Sequence, residues 1–191
     1  MTNGHKCAYV LNVLSDDHPG IVSAVSASIC NLGGNIDACS QTVLGGHFTL
    51  IMIVSFAEEL DPDKMAEEVG KSHPGTSNLQ VMARPLAKPK YQTAHGQTDG
   101  FVITVSGKDR SGVVLRFAQY LAGKDINIVD LYGERTDDQF VLISQVEIPA
   151  GVDTNLLQAD LDEMGRELNF TVRLQHENIF VATNQLRLTR A

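Results

Sequence analysis

The chain has 191 residues, of which 43% are apolar and 20% charged, with a formal net charge of −8. These proportions are those of a globular chain. No apolar stretch reaches the roughly 20 residues of a membrane span, and the acidic balance argues against direct contact with DNA or RNA, which needs a basic footprint. The opening Met1-Thr2-Asn3-Gly4-His5-Lys6 holds no apolar signal core, so the expected location is the cytoplasm. Cys7, Cys30 and Cys39 are odd in number and fall in no pairing motif, so they are expected to be reduced thiols.

Ala8 to Leu14 is an apolar, β-branched run that reads as a buried strand ending at Ser15-Asp16-Asp17. Asp17 or His18 is expected to cap the helix that follows, with Pro19 in its first turn, where a missing N–H costs nothing. Ile21, Val25, Ile29 and Leu32 then give one apolar helical face, closed by Gly33-Gly34. Strands are expected over Asn35–Leu44 and His47–Phe56, with Gly45-Gly46 as the hairpin turn. Asp61-Pro62 opens a second helix through about Lys71, with Met65, Ala66 and Val69 inward; the acidic residues from Glu58 to Glu68 fit its solvated side. Ser72-His73-Pro74-Gly75 breaks the helix, and Leu79–Ala83 is the fourth strand.

After a polar stretch containing Pro85 and Pro89 the order returns. Phe101–Val105 reads as a strand. Val113, Val114, Phe117 and Leu121 stripe a helix. Ile126–Gly133 and Phe140–Ile148 form a hairpin around Asp137-Asp138. Leu157, Leu161, Met164 and Leu168 stripe the second helix, and Phe170, Val172 and Leu174 alternate in a last strand. Ile179-Phe180-Val181 in the tail reads either as an added strand or as a partner-binding segment. The fold class is therefore α+β: two ferredoxin-like βαββαβ units, each a four-stranded antiparallel sheet with both helices on one face. The expected division is residues 1–84, a linker over 85–99, and residues 100–191.

The second half repeats the first in detail. Asp17-His18-Pro19-Gly20-Ile21-Val22 returns as Asp109-Arg110-Ser111-Gly112-Val113-Val114, a shift of 92 residues (109 − 17). The same shift carries Asn35-Ile36 onto Asn127-Ile128 and Phe48 onto Phe140. Much of what repeats lies in turns, where binding function concentrates. A helix N-terminus favours a carboxylate, and glycine there leaves room beside the first turn. Asp17 and Asp109 suit either a cap or an ammonium group, and the amides of Asn35 and Asn127 both donate and accept. Together these groups would receive a free α-amino acid; the plainer reading is that aspartate caps, glycine packs and asparagine turns the chain.

Asp-x-x-Gly-Ile/Val-Val, followed by Asn-Ile fifteen residues after the glycine (35 − 20; 127 − 112), resembles the ACT domain, a family of small βαββαβ regulatory modules that bind amino acids. The resemblance covers both halves, about Ala8–Arg84 and Phe101–Gln175. Paired ACT units resemble the glycine cleavage system transcriptional repressor family, and the first unit resembles the regulatory domain of formyltetrahydrofolate deformylases. The resemblance implies ligand at an interface between domains or subunits, touching Asp17, His18, Gly20, Ile21, Asn35 and Ile36 in one site. It implies Asp109, Arg110, Gly112, Val113, Asn127 and Ile128 in the other. Serine-sensing members carry a histidine five residues before the glycine, where this chain has Ser15 and Gly107, and Arg110-Ser111 replaces His18-Pro19 in the second copy. The implied ligand is a small amino acid, glycine- or serine-like. The implied partners are a protein such as a transcription factor and a second copy of the chain in a homodimer.

No catalytic pattern accompanies these turns. The six histidines make no His-x-x-x-His spacing, the cysteines no Cys-x-x-Cys, and no nucleophile elbow, Walker or dinucleotide motif occurs. The expectation is a non-catalytic regulator without metal or cofactor. The competing readings are a ligand-free dimerisation module, a regulatory relative of the deformylase without its catalytic domain, and an enzyme hidden in this fold.

Overall fold

The computed structural model describes residues 7–72, 79–87 and 97–180. They form two compact units, one within residues 1–90 and the other within 91–191. The first contains β1 (Cys7–Asp16), α1 (Ile21–Asn31), β2 (Asn35–Leu44), β3 (His47–Phe56), α2 (Pro62–Gly70) and β4 (Gln80–Pro85). The second contains β5 (Thr98–Lys108), α3 (Val113–Gly123), β6 (Asn127–Thr136), β7 (Gln139–Pro149), α4 (Thr154–Leu168) and β8 (Phe170–His176). The sheets are antiparallel, with strand orders β2-β3-β1-β4 and β6-β7-β5-β8.

The expected βαββαβ order is present in both units, and the boundaries differ mainly at the strands nearest the linker. β4 runs on through Arg84 to Pro85, and β5 begins at Thr98, opposite Pro149 of β7. The tail does not add a strand within the described residues: 177–180 make one helical turn, and Val181 onward lies outside them. So do His73–Asn78 and residues 88–96 of the linker.

Each unit has its own core on the helix side of its sheet. In the first, Tyr9, Leu11 and Val13 alternate along β1 and meet Ile21, Val25 and Ile29 of α1 and Met65 and Val69 of α2. In the second, Ile103 and Val105 meet Val113, Phe117 and Leu121 of α3 and Leu157 and Leu161 of α4. Each such fully buried aliphatic side chain contributes about 1.5–3 kcal/mol. The opposite sheet face stays apolar but uncovered in the first unit, where Leu14, Ile51 and Met82 are exposed.

The duplication reaches the backbone. α1 ends with Gly33 at φ 78, and Gly33 N–H and Gly34 N–H donate to the carbonyls of Cys30 and Ile29. α3 ends the same way with Asp125 at φ 57, with Asp125 and Ile126 donating to Ala122 and Leu121. Both are Schellman closures that satisfy carbonyls at the helix end. β2 and β6 each carry a bulge at the matched place, between Ile36 and Ala38 and between Ile128 and Asp130.

The helices of the second unit are also pinned to each other. Tyr120 donates its hydroxyl hydrogen to Asp160 Oδ2 at 2.7 Å, and Lys124 Nζ reaches the same oxygen at 3.1 Å. The Tyr120 hydrogen bond, then Lys124, holds the Asp160 carboxyl below the usual range. A depressed carboxyl gives stability that is present above its unfolded pKa and lost as pH falls through the folded value. Tyr120→Phe is therefore expected to lower stability slightly near neutral pH, since the pair is largely exposed and solvent-screened. Urea midpoints should show the mutant and wild type converging in acid as Asp160 becomes protonated.

Candidate functional site

The turn between β1 and α1 is built around a left-handed glycine. Asp17 N–H donates to the Gly46 carbonyl at 2.8 Å, tying the turn to the tip of the β2–β3 hairpin. The chain then spends His18 and Pro19 on the turn, and Gly20, at φ 102, is the N-cap. Its carbonyl accepts from Ala24 N–H at 2.9 Å. Asp17 and His18 therefore do not cap α1, contrary to the sequence expectation, and Pro19 precedes the helix instead of lying in its first turn. Asp17 is tied through its backbone N–H to Gly46, and its side chain makes no bond to the first turn of α1. No side chain caps α1, and its first turn holds no acidic residue.

α2 and α4 show the alternative. Asp61 accepts from Asp63 N–H and Lys64 N–H, and Asp153 from Asn155 N–H and Leu156 N–H. The donors of the first turn in α1 lack that satisfaction, which makes them available to an anion. The second unit repeats the device: Gly112 is the N-cap of α3 at φ 88, again with no side-chain cap. A Cβ at Gly112 would meet nothing within 4 Å. The glycine is thus required by its backbone angle, not by the space beside the helix that the sequence reading invoked.

The two turns differ in what surrounds the aspartate. Asp109 N–H donates to the Asp138 carbonyl at 2.7 Å, matching the first unit. Its carboxylate, however, faces Arg135 Nη1 at 3.5 Å. The position matched to Arg135 by the 92-residue shift (135 − 43) is Val43, which is 42% exposed. Asp17 has no hydrogen-bond or ion-pair partner for its carboxylate among the described residues. His18 is half-buried beside it, with Nδ1 3.1 Å from the Pro19 carbonyl oxygen. Ile21 and Val113 point into their cores, while Arg110 is exposed.

Asn35 and Ile36 lie elsewhere in the unit. Asn35 pairs with Ser55, Ser55 with Ala8, and Asp16 with His47. Ala8 and Asp16 are eight positions apart on one strand, about 26 Å. α1 carries the chain from the Asp17 end to the other end before β2 begins, so the start of β2 lies beside the end of α1 but far from its mouth. Asn35 Nδ2 donates to Asp37 Oδ1 at 2.8 Å across the bulge. Asn127 Nδ2 donates to Glu147 Oε2 at 3.4 Å, and Ile128 follows it at the corresponding end of the second sheet. One unit brings together Asp17, His18, Gly20 and Ile21, or Asp109, Arg110, Gly112 and Val113. It does not bring the asparagine to them.

Val43 and Arg135 are the pair that sequence reasoning missed. Laying the halves in the 92-residue register would have exposed the exchange, but only the turn geometry shows that it falls on the aspartate. Among the described residues no three His, Cys, Asp or Glu side chains could hold a metal ion. No helix among them is long and apolar enough to cross a membrane. The three cysteines are free thiols, with Cys30 and Cys39 exposed.

Fold and turns together define a class: a tandem ferredoxin-like protein whose polar chemistry sits at helix mouths and strand ends. The chain belongs to the ACT domain family, whose family model matches residues 8–72 and again 99–175, and it is an ACT-domain protein of the regulatory kind. Over 80 residues it is 39% identical to a UPF0237 protein of Methanocaldococcus jannaschii, covering 41% of this chain and 89% of that one. In fold it is similar to an unknown protein from Galdieria sulphuraria, at 24% identity over 89% of this chain and 98% of that one, with a TM-score of 0.73. It is also similar in fold to a protein named as a glycine cleavage system transcriptional repressor, at 22% identity over 88% and 96% of the two chains, with a TM-score of 0.62.

Proposed function

We propose that this protein is a non-catalytic sensor that binds a small amino acid, glycine- or serine-like, and passes its bound state to a protein partner such as a transcription factor. The observation that carries the reading is the β1–α1 turn of the first unit. There an uncapped helix mouth led by Gly20 stands next to an Asp17 carboxylate without a partner among the described residues. The N–H groups of the first turn suit the ligand's carboxylate, and Asp17 suits its ammonium. Asn35 and Ile36 complete the site from a second copy of the chain, since the sheet separates them from the turn of their own unit. The reading thus calls for a homodimer.

Signalling follows from linkage. Ligand favours whichever arrangement of chains forms the complete site, by its difference in affinity for the alternatives. The partner then distinguishes those arrangements, which is consistent with an acidic protein acting without touching DNA itself. The likeness in fold to the named repressor supports control of glycine cleavage or a related branch of amino-acid metabolism.

The test is a thermal-shift panel of the common amino acids against the full chain. A ligand at about 100 times Kd adds roughly 2.7 kcal/mol, which for a protein of 191 residues raises the Tm by about 5–10 °C. Glycine or serine is expected to register. If no amino acid shifts the transition at millimolar concentration, the sensor reading fails and a ligand-free dimerisation module replaces it.

A further inference from the structure

The two units differ on the sheet face turned away from the helices. In the first unit Val10, Ile53 and Ala38 form one cross-strand row, followed by Ile51 and Ser40 in the next. The 92-residue shift turns these into Val102, Gln145 and Asp130, then Ile143 and Tyr132. The apolar floor is kept, and an amide, a carboxylate and a phenol are added to it.

Over this patch the chain after β8 folds back as the helical turn of residues 177–180. Glu177 Oε1 accepts from Gln145 Nε2 at 3.2 Å. Gly100 makes room for the other oxygen, because a Cβ at that position would collide with Glu177 Oε2. Phe180 closes the far side. The result is a cavity of about 210 Å³ between strap and sheet, with Val102 and Ile143 in its floor and Asp130, Tyr132, Glu177 and Phe180 around it.

We infer that this cavity is a second ligand site, specific to the second unit, for a small primary amine with an apolar body. Its wall offers two carboxylates and two aromatic rings, and none of its lining residues is cationic. Carboxylates and ring faces attract an ammonium group, while Val102, Ile143 and Phe180 suit a hydrocarbon body. A ligand carboxylate would meet only like charge there, so a zwitterionic amino acid is disfavoured. A metal ion is a poor occupant, since no set of three ligating side chains is in place among the described residues. The site is independent of the amino-acid reading of the first turn, and its ligand is the opposite in requiring no carboxylate.

The experiment is calorimetric titration of the full chain at neutral pH with 2-phenylethylamine, its neutral analogue 2-phenylethanol, and phenylalanine. The amine is expected to bind saturably, and the alcohol and phenylalanine at least tenfold more weakly at this site. Asp130→Asn with Glu177→Gln, both outside the core, should weaken the amine at least tenfold. Asp130→Asn alone, with an unchanged melting temperature, guards against a folding artefact and should give a smaller loss. No saturable binding of the amine, equal binding of alcohol and amine, or full binding by the double variant would overturn the assignment.

Discussion

Val43→Arg is expected to weaken amino-acid binding about tenfold, equivalent to about 1.4 kcal/mol, while leaving the unliganded protein as stable as before. Arg135 sits 3.5 Å from the Asp109 carboxylate in the second unit, and Val43 is the residue matched to it in the first by the 92-residue shift. Both positions pair with a phenylalanine of the neighbouring strand, Phe48 and Phe140. A guanidinium at position 43 therefore starts from a backbone already shown to deliver it to the aspartate. It would compete with a ligand ammonium for Asp17 and repel it. The pair itself, being exposed, adds only about 0–1 kcal/mol to folding, and Val43 is outside the core, so stability should change by less than about 0.5 kcal/mol.

The reciprocal Arg135→Val frees Asp109 and is expected to add a second, weaker binding phase, because Arg110 stands where the first unit has His18. Calorimetric titration with the amino acid found by thermal shift measures both effects. Binding by Val43→Arg with wild-type affinity would show that Asp17 does not hold the ammonium. Because the contact is between exposed charges, the wild-type affinity should also fall with salt, and that of Val43→Arg much less.

How far such a site is legible before the fold is known depends on the kind of signal. The β2–β3 hairpin was readable to the residue, since Gly45 and Gly46 both take positive φ and stand between two apolar runs. Asp61-Pro62 gave the start of α2 because capping aspartate and N1 proline are local chemistry. The α1 mouth was not readable in that way. A left-handed glycine N-cap leaves the same letters, Asp-x-x-Gly, as an aspartate cap would, and what decides is the distant hydrogen bond from Asp17 to Gly46. The start of β5 was missed because Thr98-Asp99-Gly100 has no apolar pattern; those residues are held by pairing with Pro149, Ile148 and Glu147. The tail was undecided between strand and docking segment because Ile179-Phe180-Val181 is too short for period to speak. Duplication made the two asparagines visible, but their separation from the turns is a property of sheet register and has no trace in local sequence.

The same limit governs the glycines of the second unit's helices, where one substitution should act with opposite sign at two places. Gly165→Ala is expected to destabilise by about 2–3 kcal/mol, at the upper end of the overpacking range. Gly165 falls on the buried stripe of α4 between Met164 and Leu168, and a Cβ there would stand 2.6 Å from the Phe170 carbonyl oxygen and 2.8 Å from Val172 Cγ2. The nearest obstacle is backbone of β8, which cannot rotate aside as a side chain would. The helix must lift from the sheet, spoiling contacts of Leu161 and Leu157 that are now fully buried. Gly123→Ala, in the last turn of α3, meets nothing within 4 Å and has no positive φ. It should instead stabilise by about 0.5 kcal/mol, through helix propensity and a less flexible unfolded chain. Propensity alone predicts a gain at both positions, so urea midpoints of the two variants separate packing from propensity. A Gly165→Ala protein as stable as wild type would mean that α4 does not approach β8 as closely as its missing side chain implies.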